Sequence, residues 1–136
     1  MIYENKNVKV SLENNGTKKF ILFKWFHMFI SKPEIVDAHT KASEVAQKNG
    51  VSIYVADVQN AKSVLPTDVI EWWGGWSKFL VKIGIKKIIT IKKTDGADRA
   101  LRNINDKSWQ RESQTSGGIE HVDINSSLDL RKELNK

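Results

Sequence analysis

Catalysis in a chain of 136 residues must come from its titratable and nucleophilic side chains, and here they are sparse. There is no cysteine, which excludes disulfides, thiolate metal sites and thiol chemistry. The histidines, His27, His39 and His121, are scattered. His39 has Glu34 and Asp37 nearby, but the three do not form a ligand set of standard spacing. Structural or surface roles are expected for all the histidines, and no metal. Nucleophilic catalysis needs an activated nucleophile, a base and an orienting group. No Gly-x-Ser-x-Gly elbow is present, and no Gly-x-Gly-x-x-Gly or Walker-type loop follows a strand. The best-placed carboxylate is Asp57, at the carboxyl end of a buried strand, where open parallel sheets collect ligands. Its alternative is a capping role, accepting N–H bonds from Gln59 or Asn60 in the following turn. Neither an enzyme nor a cofactor is expected.

The most unusual feature is Trp72-Trp73-Gly74-Gly75-Trp76. Consecutive helical residues point about 100° apart, so these rings cannot share one core, and Trp72 or Trp73 should be partly exposed. Such a ring over glycines suits a pocket wall or a partner-binding hot spot. The plainer alternative is packing against the N-terminal hairpin or a third helix. Each glycine costs the helix about 1 kcal/mol, offset by close packing or by space left beside the tryptophans.

The elements that must position these residues follow from periodicity. Val8 to Leu12 alternates apolar and polar, Asn14-Asn15-Gly16 is a hairpin signal, and Phe20 to Phe26 is a more buried strand. Ser31-Lys32-Pro33-Glu34 has capping-box spacing. Ile35, Ala38, Ala42, Val45 and Ala46 then fall on one helical face, which Asn49-Gly50 ends. Val51 to Ala56 is a buried strand. Pro66 opens a second helix to about Ile83, with Val69, Trp72 or Trp73, Trp76, Phe79, Leu80 and Ile83 on its apolar side and Gly84 as its stop. Ile85 to Ile91 is a strand, Ala97 to Ile104 suits a third helix, and Ile119 to Ile124 alternates as a short edge strand. A last helix carries Leu128, Leu130 and Leu134. The order ββαβαβαβα predicts one α/β domain over 1–136: a mostly parallel sheet with an N-terminal β-hairpin and flanking helices.

Composition sets further bounds. Hydrophobic residues make up 40% and charged residues 28%, as in an ordinary globular protein. No apolar run reaches the roughly 18 residues of a membrane span, and the N-terminus lacks a secretory-type apolar stretch, so a cytoplasmic location is expected. The net charge is +6. Its excess lies between Trp76 and Lys93, where Lys78, Lys82, Lys86, Lys87, Lys92 and Lys93 occur without an acid. That stretch could attract an anionic partner, or simply form a solvated face.

From Asp57 to Ile91 the chain resembles small bacterial proteins of the STAS-like, SpoIIAA-like class, especially short ones of Bacteroidetes. The shared pattern is an Asp ending a buried strand, a Pro-initiated helix carrying tryptophans, and Leu-x-x-x-Gly-x-Lys-Lys before an Ile/Val strand. Here these are Asp57, Pro66, Trp72 with Trp76, and Leu80 to Ile89. The likeness extends more loosely over almost the whole chain. It implies a SpoIIAA-like sheet flanked by helices, without a cofactor. In the best-known branch, anti-sigma-factor antagonists, a Ser or Thr at the start of the second helix is phosphorylated to control partner binding. Related folds carry apolar ligands. This chain lacks the Asp-Ser-Ser-Gly of the switch and has Leu65-Pro66-Thr67-Asp68 in its place. Thr67 is the nearest hydroxyl and the candidate phosphorylation site. A helix N-terminus favours a phosphoryl group there, and Asp68 opposes it.

These readings converge on a non-enzymatic regulatory or ligand-binding module. Asp57, Asn60, Ser63, Thr67, Trp72 and Trp73 would contact a protein partner or a small apolar ligand. A homodimer is also compatible with the sequence. The alternative is nucleic-acid binding through the Lys78–Lys93 stretch and an exposed Trp. Against it stand the lack of arginine enrichment and of an RNA-binding motif.

Overall fold

A computed structural model of the chain describes residues 2–16, 18–26, 32–59, 67–91, 119–124 and 127–134. The strands are β1 (Tyr3–Glu4), β2 (Val8–Asn14), β3 (Lys19–Trp25), β4 (Ile53–Asp57), β5 (Lys87–Ile91) and β6 (Glu120–Ile124). The helices are α1 (Lys32–Asn49), α2 (Thr67–Ile83) and α3 (Ser127–Leu134). The strands make one sheet in sequence order. Pairing is antiparallel from β1 to β3 and parallel from β3 to β6.

The expected hairpin joins β2 to β3, with Val8 opposite Trp25 and Asn14 opposite Lys19. Its turn is held by side chains. Gly16 N–H donates to Asn14 Oδ1 at 2.7 Å and Lys18 N–H to Asn15 Oδ1 at 2.8 Å, the local bonding that suits Asn to turns. The strand β1 was not anticipated. Two residues are too few to show alternation, and they become a strand only by pairing with Val10 and Lys9. The third helix expected from Ala97 onward lies outside the described residues, as do His27, Ser31, Asn60, Ser63 and Pro66.

The glycine stops act as expected. Gly50 and Gly84 have φ of 64° and 101°, in the left-handed region that glycine enters without strain. The chain then turns back on each helix, with Val51 N–H donating to the Ala46 carbonyl and Ile85 N–H to the Leu80 carbonyl.

Alternation sends side chains to two faces. One face, with Val8, Val10, Ile21, Phe23, Trp25, Tyr54 and Ile88, packs against Ile35, Ala38 and Ala42 of α1 and Leu80 of α2. The other carries Phe20, Ile53, Val55, Ile89, Ile91 and Ile124 and meets Leu134 of α3.

Candidate functional site

The helical face of the sheet collects rings. Phe23 and Trp25 project from β3 and Tyr54 from β4, and His39 descends on them from α1. The His39 ring stacks on Phe23 at 4.5 Å and lies 6.4 Å from Tyr54. From α2, Trp72 approaches His39 to 5.6 Å and Trp76 to 6.3 Å. Trp72 stacks on Trp76 at 5.2 Å, and Trp76 meets Phe79 at 4.7 Å. The chain of rings thus runs from the sheet centre to the outer surface of α2. The tryptophans pack against the first helix rather than only against the N-terminal hairpin or a third helix. The spacing that places His39 beside Ala38 and Ala42 on the buried face was the only trace of that packing in the sequence.

Burial sets the electrostatics here. It lowers the His39 pKa to about 3, so the ring is neutral and serves as an aromatic. Burial also pushes the Tyr54 hydroxyl upward. Tyr54 Oη and Trp76 Nε1 are enclosed without a hydrogen-bond partner among the described residues. On β6, burial lowers His121, partly offset by the negative charge of Asp123. Among the described residues no three His, Asp or Glu side chains converge as metal ligands would.

The outer surface of α2 is organised in rows. Ser77 and Leu80 are fully buried. Ser77 is a polar residue on the core side, and its hydroxyl is satisfied by donating to the Gly74 carbonyl at 3.1 Å. Beside this buried seam, Trp72, Trp76, Phe79 and Ile83 are half-buried. Their spacing of three and four residues makes one continuous row. The next row outward is Glu71, Gly75, Lys78 and Lys82, all exposed. A Cβ built on Gly75 would meet nothing within 4 Å. Gly75 therefore leaves space beside the tryptophans and does not serve close packing.

The fold divides the lysine stretch. Lys78, Lys82 and Lys86 are exposed and join no ion pair among the described residues. Lys87 turns to the opposite face and pairs with Glu133 of α3 at 2.9 Å, where both side chains are largely buried. Lys92 and Lys93 lie outside the described residues.

The remaining anticipated site residues fall in different places. Asp57 ends β4 and shares strand parity with Ile53 and Val55, so it belongs to the face opposite Trp72. Its Oδ1 accepts from Gln59 N–H at 3.1 Å and from Gln59 Nε2 at 3.2 Å, a turn-capping arrangement. Thr67 opens α2, at the same carboxyl edge of the parallel strands. Trp73 lies in α2, with its side chain outside the described set. The structure thus separates Asp57 from Trp72 and joins Trp72 to Trp76, Phe79 and His39.

A polar cluster at that edge was missed. Glu34, in the first turn of α1, accepts from Asn7 Nδ2 at 2.9 Å and Asn5 Nδ2 at 3.3 Å. Asn5 Oδ1 in turn accepts the N–H groups of Asn7 and Val8. The sequence offered Glu34 as half of a capping box, but no local pattern could show that the β1–β2 connection reaches it.

Neither a family profile nor any curated protein matches the sequence. Among solved structures, the chain is similar to an uncharacterized protein of the DUF3478 family from Shewanella loihica PV-4, which has a SpoIIAA-like fold. The TM-score is 0.60 at 14% identity, over 98% of each chain. The fold is SpoIIAA-like. At that identity the likeness speaks for the SpoIIAA-like architecture of sheet and helices alone. No helix among the described residues of this SpoIIAA-like domain is long and apolar enough to cross a membrane.

Proposed function

We propose that this SpoIIAA-like domain is a non-enzymatic binding module with a regulatory or carrier role, acting through a protein partner or a small apolar ligand held at α2. One observation carries the reading: the half-buried row Trp72, Trp76 and Phe79 beside the open space at Gly75. Large rings with one wet edge supply most of the contact energy in recognition surfaces. The missing side chain at exposed Gly75 leaves their edges open to a guest side chain or alkyl group. The rings are stacked on buried neighbours, so the surface is preorganised and little ordering entropy opposes binding. Phosphorylation of Thr67, at the entrance of α2, would put negative charge at one end of this surface and supply the regulatory step.

Native mass spectrometry of the full chain purified from its own cells, with and without Gly75→Leu, tests the reading. A bound molecule or specific complex in the parent protein, lost when Leu fills the gap and the melting temperature is kept, is the expected result. Absence of any complex, or one indifferent to Gly75→Leu, overturns it.

A further inference from the structure

Resting on that binding-module reading, we infer that the occupant of the α2 surface is an acidic amphipathic segment of another protein, its apolar residues on the tryptophan row and its carboxylates on the lysine row. Two features select this chemistry.

The first is shape. The half-buried row Trp72, Trp76, Phe79 and Ile83 and the exposed row Gly75, Lys78 and Lys82 run side by side along the helix, and Lys86 continues the charge just past its end. With a rise of about 1.5 Å per residue they span roughly three turns. That is a linear strip, matched by a partner with apolar positions at i, i+3 or i+4 and i+7. A compact small molecule would use only the Gly75 end.

The second is charge. Lys78, Lys82 and Lys86 are exposed and outside any ion pair among the described residues, whereas Lys87, their neighbour in sequence, is matched to Glu133. A partner with acids on one flank of its apolar stripe complements them and would be steered to them. Lys82, in the last turn of α2, also complements the helix dipole. Lys78 lies a turn earlier, and Lys86 lies beyond the helix. A lipid surface fits less well. Membrane-surface helices also set a basic face beside an aromatic one, but here the exposed row carries Glu71 with its lysines, which an anionic headgroup layer would repel.

The test is a phage-displayed library of random peptides selected on the full-length chain. Enriched peptides should combine Asp or Glu with Leu, Ile or Phe at helical spacing. A synthetic copy should shift the tryptophan emission on binding. Its affinity should fall by about tenfold in Lys78→Glu/Lys82→Glu, the effect of removing and reversing two exposed ion pairs. It should also fall in Gly75→Leu, with far-UV circular dichroism showing that both variants remain folded. The inference is overturned if nothing is enriched, if basic or uncharged peptides are enriched, or if both variants bind as tightly as the parent. It is also overturned if anionic vesicles or single-stranded oligonucleotides bind through these lysines while acidic peptides do not. A small molecule expelled by Gly75→Leu but insensitive to lysine reversal would sink this inference and leave the binding-module reading intact.

Discussion

The two faces of the sheet solve the same burial problem with different side chains. The face under α3 is filled by Phe20, Ile53, Val55, Ile89, Ile91, Ile124 and Leu134. An ion pair on that face, Lys87 with Glu133, is matched across 2.9 Å with both side chains largely buried. The face under α1 and α2 uses Phe23, Trp25, Tyr54, His39, Trp72 and Trp76, and encloses Tyr54 Oη and Trp76 Nε1 without a partner among the described residues. Rings with polar handles leave edges and gaps, and these edges are what a binding surface requires. Among the described residues, the half-buried tryptophans Trp72 and Trp76 thus lie on the face under α1 and α2.

The largest expected effect lies on the face under α3. Glu133→Ala takes the carboxylate from a largely buried Lys87 and leaves its Nζ the Glu133 backbone carbonyl at 3.5 Å, and should cost about 2–3 kcal/mol in urea unfolding. The double variant Lys87→Met/Glu133→Leu should recover most of that loss. A cost for the single variant below about 1 kcal/mol would show that the pair is solvated and that the contrast between the faces is smaller than drawn.

The next effect sharpens the role of the aromatic face through pH. The His39 pKa falls from 6.5 in the unfolded chain to about 3 when folded. Between these values the unfolded state binds the extra proton, so stability rises with pH. Full stability is present above 6.5 and is lost as pH falls toward about 3, with a limiting slope of about 1.4 kcal/mol per pH unit. His121, lowered in the same direction, adds a lesser contribution of the same sign. Chemical denaturation across this range should show a shallower slope in His39→Phe. An unchanged slope would mean that His39 is not the group that resists protonation.

Smaller effects mark the boundary of the site. Asp57→Ala removes the acceptor for Gln59 N–H and should cost about 1 kcal/mol in thermal unfolding, without altering binding at α2, because Asp57 sits on the other face. Loss of binding in that variant would join the two faces into one site. Tyr54→Phe should be the mildest change, neutral or stabilising by up to about 1 kcal/mol, since it removes a buried hydroxyl that lacks a partner among the described residues. A clear destabilisation would show that the hydroxyl is satisfied and that the aromatic face is better matched than it looks.

Much of the fold was legible because its signals are local. Alternation in Val8 to Leu12, the Asn-Gly turn, the spacing of Ile35, Ala38 and Ala42, and the glycine stops at Gly50 and Gly84 each act within a few residues. The site was less legible. Asp57 and Trp72 were grouped because both lie near one loop in sequence, but strand parity sends the Asp57 side chain away from α2. Lys87 reads as one of a run of solvated lysines until α3 brings Glu133 to it from 46 positions away. His39 reads as an unremarkable histidine until α2 closes over it.

The sequence by itself determined which segments become strands and helices, where each stops, and that Trp72 and Trp76 stand a turn apart on one helix, because periodicity and glycine geometry act through neighbouring residues. Only the tertiary structure decided which rings meet, which of the described lysines enter an ion pair and on which face Asp57 falls. Those depend on strand register and helix docking, which are set by burial summed over residues far apart in the chain.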